Sequence, residues 1–241
     1  MPEPEEAWLN GLTSEAEIKK AVLKHNEKGL KLKLIKPKDI DNSCKKIIAD
    51  REIRNNLQRI KATGVKVMYR AVDVRIKNEV VAAVDEARES LGNISGFVHG
   101  AGVLADKLIE DKTEEQFSNV YATKVTGIDS LLTATENDPL KIMVMFSSST
   151  GRFGRKGQCD YAAANEVLNK IAQQQARLRT DCRVVSVNWG PWDGGMVTPA
   201  LKKIFARESV GVIDLKAGAD YLMQEIAHEG PVEVVVLGFN N

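Results

Sequence analysis

Tyr161 and Asn165 lie four residues apart in Tyr161-Ala162-Ala163-Ala164-Asn165. On a helix this spacing puts a phenol and an amide on one face, near the helix start. The alanines between them keep the surface small, so a ligand or another backbone can come close. Ser148 precedes Tyr161 by 13 residues, room for a loop returning from a strand end to the helix start. Lys124 precedes Ser148 by 24 residues and sits in Lys124-Val125-Thr126-Gly127, on the preceding helix. A phenol ionises at about pH 10, and a neighbouring ammonium favours its charged form. These spacings allow hydroxyl, phenol, amide and ammonium to meet in one crevice.

The elements that must position these groups read as follows. Ser14 to Glu17 has capping-box spacing, which predicts a helix over 15–28, closed by Gly29. Leu30-Lys31-Leu32-Lys33-Leu34 alternates as a short half-exposed strand would, though a loop is equally compatible. Apolar residues from Ile40 to Ile60 recur at helical spacing over about 37–63, and Gly64 supplies the stop. Beyond it, strands are predicted over 65–74, 94–99, 141–147, 183–188 and 232–237. Helices are predicted over 77–91, from the Thr113–Gln116 capping box to about 135, over 161–179 and over 214–227. Strands alternating with helices of this length imply parallel βαβ units. KIMVMF and VEVVVL are continuous apolar runs, as in strands buried on both faces. The expected architecture is α/β, a doubly wound parallel sheet over 65–241 behind a helical segment over 1–64. In such sheets ligands bind beyond the C-terminal strand ends. Three of those ends carry polar or glycine-rich text: His99-Gly100-Ala101-Gly102, Ser147-Ser148-Ser149-Thr150-Gly151 and Asn188-Trp189-Gly190-Pro191-Trp192.

Composition narrows the function classes. The 241 residues carry 34 basic and 33 acidic side chains, a net charge near +1, which excludes a nucleic-acid binder relying on a strong global field. No stretch approaches the roughly 18 apolar residues of a membrane span. MPEPEEAWLNGL is acidic and has no apolar centre, so a secretory signal is not expected. Cys44, Cys159 and Cys182 are odd in number and far apart, which fits a reduced, cytoplasmic setting. They do not cluster with histidine, so no metal site is expected. His99 reads as a structural hydrogen-bonder rather than a base.

The text HGAGV, KVTG, MFSSSTGRFGRKGQCDYAAAN and VNWGPWDGG resembles the ketoreductase domains of modular polyketide and polyunsaturated-fatty-acid synthases, members of the short-chain dehydrogenase/reductase superfamily. The resemblance runs from about Met68 to Leu237. The N-terminal WLNGLTSEAEIKKA is similar to the segment before this region in the polyunsaturated-fatty-acid type. It implies that Tyr161 is the general acid in NADPH-dependent reduction of a ketone. Lys124 would assist the phenolate and hold the nicotinamide ribose, Ser148 would bind the carbonyl oxygen, and Asn165 would orient Lys124 or a relay water. Asp73 and Val74 would contact the adenine, Gly100, Ala101 and Gly102 would line the ribose, and Trp189 and Pro191 would lie by the nicotinamide. Asp106, Ser149 and Met196 would face the substrate, a β-ketoacyl chain on an acyl carrier protein. Leu104-Ala105-Asp106 keeps the first and last positions of the family's Leu-Asp-Asp motif. Phe153, eight residues before Tyr161, replaces the tryptophan of the opposite stereochemical type. Both imply the D-alcohol.

One part of the pattern is missing. The superfamily opens with a strand, a glycine-rich turn whose N–H groups receive a pyrophosphate, and a helix. Residues 1–65 contain only Gly11, Gly29 and Gly64, all isolated. Strand 65–74 would then lack its central neighbours. The chain is expected to be an incomplete domain that dimerises or borrows an edge from a complementary half. Truncation and direct pairing of strands 65–74 and 94–99 stand as the other resolutions. The non-catalytic alternative is a pseudo-reductase or half-domain interaction module.

Overall fold

The computed structural model describes residues 4–28 and 36–239. The alternating run over 30–35 lies outside them. Two compact units are present, Met1–Ala71 and Val72–Asn241. In the first, helices α1 (Glu15–Lys28) and α2 (Pro37–Ala62) pack together. Ile18 and Val22 of α1, Cys44 of α2 and Leu9 form their core. The Ser14–Glu17 capping box forms: Glu17 N donates to Ser14 Oγ (3.2 Å), and Ser14 N donates to Glu17 Oε2 (2.9 Å). Arg51 of α2 pins the N-terminal arm by donating to the carbonyls of Leu9 (3.0 Å) and Leu12 (2.5 Å).

The second unit holds a four-stranded, wholly parallel sheet in the order β1 (Gly96–His99), β2 (Ile142–Ser148), β3 (Arg183–Trp189), β4 (Glu233–Val236). Helices α3 (Lys77–Leu91), α4 (Glu114–Ala134), α5 (Ser149–Phe153), α6 (Cys159–Leu178), α7 (Pro199–Arg207) and α8 (Leu215–Ala227) complete it. Alternation along the strands serves two cores. Met143, Met145 and Val184 pack with Ile128 of α4 and Leu168 of α6. Val144, Val185, Val187 and Trp189 face the other way, toward Ile213 and Tyr221 of the α8 region. Apolar contact on both faces is why these strands read as unbroken hydrophobic runs.

The expected strand over 65–74 is not one. These residues run as coil into a turn at Val74 and Arg75. A strand is defined by its ladder, and no described strand pairs with this segment. Nor does it pair with β1, whose described partner is β2 alone. Two short helices escape the periodicity argument, α5 and α7. Helix α5 is only five residues long, capped by Ser148 Oγ accepting from Thr150 N (3.2 Å) and ended by Gly154 at φ +71°.

Gly127 sets how closely α4 approaches the sheet. A Cβ there would lie 2.9 Å from His99 Cε1 and 3.1 Å from Val74 Cγ2. His99 cannot give way easily, because it is buried and bonded to α4. Gly127→Ala gains about 1 kcal/mol of helix propensity but overpacks at a cost of about 1–3 kcal/mol. Urea unfolding is expected to show a lower midpoint for the variant; a higher one would contradict this packing.

Candidate active site

The C-terminal ends of β1, β2 and β3 lie side by side, in the register His99 with Met145 and Ser148 with Trp189. Strand β2 therefore delivers Ser148 to the mouth of the sheet. Helix α6 begins beside it, because α5 folds back: a Cβ on Gly151 would lie 3.0 Å from Asn165 Cβ and 3.2 Å from Glu166 N. Only glycine lets α5 lie this close to the helix carrying Tyr161.

Lys124 projects from α4 and is 2 % exposed. Its Nζ donates to the carbonyl of Phe146 (2.8 Å) and stands 5.7 Å from the centre of the Tyr161 ring. Burial pushes this ammonium down to about 8. Burial also pushes the Tyr161 phenol above its ordinary value, hydrogen bonding from the Asn165 and Ser148 side chains acts against it, and the charge of Asp106 adds to the rise. In the resting protein desolvation of the ring outweighs the pull of the Lys124 ammonium, which is turned onto Phe146. The phenol is thus kept protonated at neutral pH. Asn165 Nδ2 donates to the Tyr161 carbonyl (2.7 Å), while its buried Oδ1 has no partner among the described residues.

Lys124, Ser148, Tyr161 and Asn165 therefore converge, although they span 42 positions of sequence. Gly102 and Met196 join them: a Cβ on Gly102 would lie 3.4 Å from Lys124 Nζ and 3.9 Å from Met196 Cε. Asp106 accepts from Gln158 Nε2 (2.8 Å), which places its charge near the phenol. Ser149 opens α5 next to Ser148. Gly100 lies by Phe146, at 3.9 Å from where a Cβ would sit, and the partly buried Ala101 follows it.

The remaining sequence candidates make other contacts. Val74 packs on Gly127. Asp73 is bound by Arg75, whose guanidinium holds the carboxyl down to about 2. Arg75 also reaches Asn119 of α4. Trp189 is 5 % exposed among Phe146, Trp192 and Tyr221. Pro191 accepts from Ile213 N (2.7 Å), tying the segment after β3 to the chain before α8.

Sequence reasoning missed three supports. Ser147 Oγ and Asn169 Nδ2 donate to Asn188 Oδ1 (both 3.0 Å), and Ser186 Oγ donates to Asn169 Oδ1 (2.7 Å), a buried polar seam between α6 and β3. Gln158 links Asp106 to Thr150. Lys112 and Asp160 form a buried ion pair. Polar letters inside the apolar strand β3 were the available signal for the first.

His99 Nε2–H donates to the Lys124 carbonyl (3.0 Å), which anchors α4 at Lys124. Burial, with the Lys124 charge adding to it, lowers His99 from 6.5 to about 4. Between those values the unfolded chain binds more protons than the fold does. The histidine's contribution is therefore complete above pH 6.5 and lost as pH falls through 4, about 3 kcal/mol in all. Wild type is expected to lose this much more stability than His99→Gln between pH 7 and pH 4, measured by urea unfolding. Parallel pH profiles would refute it.

A model of the KR domain family matches residues 42–194. One of the subunits of the polyunsaturated fatty acid synthase of Thraustochytrium sp. is 38% identical over 96% of this chain, which spans 8% of that protein. Polyketide synthase PksN of Bacillus subtilis is 31% identical over 76% of this chain, which spans 3% of that one. Among solved structures, a ketoreductase domain from the bacillaene assembly line superposes with TM-score 0.71 at 30% identity, covering 77% of this chain and 46% of that one. A short-chain dehydrogenase/reductase of Brucella melitensis shares the fold at TM-score 0.68 and 17% identity, covering 77% of this chain and 81% of that one.

Proposed function

Because this chain belongs to the KR domain family of polyketide and polyunsaturated fatty acid synthases, we propose that it reduces a carrier-protein-bound β-ketoacyl thioester to the D-β-hydroxyacyl form, with NADPH as reductant. The observation that carries the reading is the convergence of a buried ammonium, a protonated phenol and a serine hydroxyl at the mouth of the sheet. Tyr161 gives its proton to the ketone oxygen. Ser148 hydrogen-bonds the same oxygen, where negative charge develops. Lys124, still charged at neutral pH, steadies the phenolate left behind. The free Oδ1 of Asn165 is an acceptor for a water that returns a proton toward Tyr161. Asp106, held beside the phenol by Gln158, supports the D-configuration, as does Phe153 in place of a tryptophan.

The nicotinamide-ribose end of the cofactor has fitting residues. Gly102 leaves open the space a Cβ would fill against Lys124 Nζ, and Lys124 can offer its ammonium to the ribose hydroxyls. NADPH when bound supplies the hydride; Gly102, Lys124 and Met196 would hold that end of it. No glycine-rich turn leading into a helix serves the pyrophosphate end among the described residues.

That gap, with β1 paired on one side only among the described residues, favours a second reading: a half-domain that gains its cofactor site by pairing along β1 with a complementary polypeptide. NADPH fluorescence titration of the purified chain separates the two. Saturable binding together with NADPH oxidation by an acetoacetyl carrier-protein thioester supports catalysis by the chain itself. No binding at millimolar NADPH, restored by a complementary half, supports the second reading.

A further inference from the structure

The ion pair between Lys112 and Asp160 is the most deeply enclosed charge pair among the described residues: Nζ and Oδ2 are 2.7 Å apart, and the two side chains are 3% and 2% exposed. It does not belong to the proton-moving group, and its members are 48 residues apart. Lys112 closes the 3-10 turn Ile109–Asp111 and precedes Thr113, the cap of α4. Asp160 sits in the first turn of α6, next to Tyr161, and its Oδ1 accepts from Tyr161 N (2.9 Å).

The Lys112 ammonium has a second acceptor, the carbonyl of Ala105 (2.6 Å). Residues 105–107 are thereby tied to the segment before Tyr161 at three successive points. Ala105 is held through Lys112 to Asp160, Asp106 through Gln158 (2.8 Å), and the Lys107 amide by donating to Gly157 O (3.0 Å). No helix or strand forms across 100–108, and these three bonds are what tie 105–107 to the start of α6. A desolvated ion pair adds little stability relative to a well-packed apolar pair. What it adds is direction: the ammonium reaches Ala105 and Asp160 together only when the loop lies against the start of α6.

We propose that Lys112 and Asp160 are a positioning pair, a clamp that sets the 104–107 loop against the Tyr161 helix and so fixes the wall along which the ketone substrate approaches the phenol. The inference rests on the reductase reading for its kinetic consequence but not for its structural one. In the clamp, Lys112 orients Ala105, Ala105 carries Asp106, and Asp160 holds the backbone of Tyr161 at the other end.

The test compares wild type, Asp160→Asn and the apolar double variant Lys112→Met/Asp160→Leu in the full chain. Asp160→Asn strands a buried ammonium and can fail to fold. The double variant removes both charges and is expected to keep the wild-type urea midpoint. By hydrogen exchange, amides 103–108 are expected to exchange at least about tenfold faster in the double variant, as a released loop does, while those of β2 and β3 are unchanged. The KM for a β-ketoacyl thioester is expected to rise about tenfold with NADPH affinity unchanged, because a displaced wall misplaces the substrate. A purely structural pair would lower kcat through the active fraction and leave KM alone. Unchanged exchange across 103–108, or an unchanged KM in an active enzyme, overturns the clamp. If wild type reduces no β-ketoacyl thioester, the reductase reading falls, and the exchange comparison alone decides the clamp.

Discussion

Tyr161→Phe is expected to lose about 10²–10⁴-fold in kcat, the usual worth of a positioned general acid, with its fold and NADPH affinity intact. The substitution deletes one oxygen from a ring held against Ser148 and Asn165 and leaves the hydrocarbon packing in place. Burial and the charge of Asp106 keep the phenol protonated well past neutrality, while Asn165 and Ser148 pull the other way. The donor is therefore loaded throughout the physiological range, and reduction by wild type should not fall between pH 6 and 7.5 for want of that proton. Stopped-flow measurement of NADPH oxidation in wild type and variant checks both statements. A variant within threefold of wild type would remove Tyr161 from the proton path and with it the reading built on the four converging groups.

How much of this was legible in the sequence follows from what kind of information each feature needs. Caps are local, and the Ser14–Glu17 and Thr113–Gln116 boxes mark the starts of α1 and α4. Strands buried on both faces announce themselves as apolar runs, so β2, β3 and β4 were found within a residue or two. The segment over 65–74 is rich in strand-favouring residues, though broken by Lys66, Arg70 and Asp73, and failed, because such residues report the preference of a strand and not the presence of its neighbour. The convergence of Lys124, Ser148, Tyr161 and Asn165 was expected from the resemblance to the ketoreductase family, whose spacing these four residues match. The Lys112–Asp160 clamp could not. Two charged letters 48 positions apart look like ordinary surface until the fold closes water out around them. The direction of the Tyr161 shift was also out of reach, since it depends on where the Lys124 side chain turns and how fully the ring is enclosed.

Lys124→Met is expected to move stability and activity in opposite directions. The wild-type ammonium is 2 % exposed and is pushed by burial from 10.5 to about 8. A depressed folded value means that the lysine's favourable contribution is complete only above pH 10.5 and is lost as pH falls through 8. At pH 7 the fold therefore carries a charge it disfavours by about 3 kcal/mol relative to water. Methionine is one heavy atom shorter, keeps an unbranched apolar stem in the same space and removes the charge. It forfeits the bond to the Phe146 carbonyl, about 1 kcal/mol, leaving the variant more stable by about 1–2 kcal/mol at pH 7. Reduction should nevertheless fall at least about 10²-fold, because nothing then steadies the phenolate or meets the ribose. In wild type the same ionisation should lower the reduction rate above about pH 8, as the ammonium loses its proton. Urea unfolding of the two proteins at pH 7 and pH 10.5 reads the stability side, and the stabilisation should shrink at the higher pH. A destabilised Lys124→Met protein would mean that the ammonium is held in place for the fold. A stabilised and inactive one would mean that the fold bears the charge for the sake of the site.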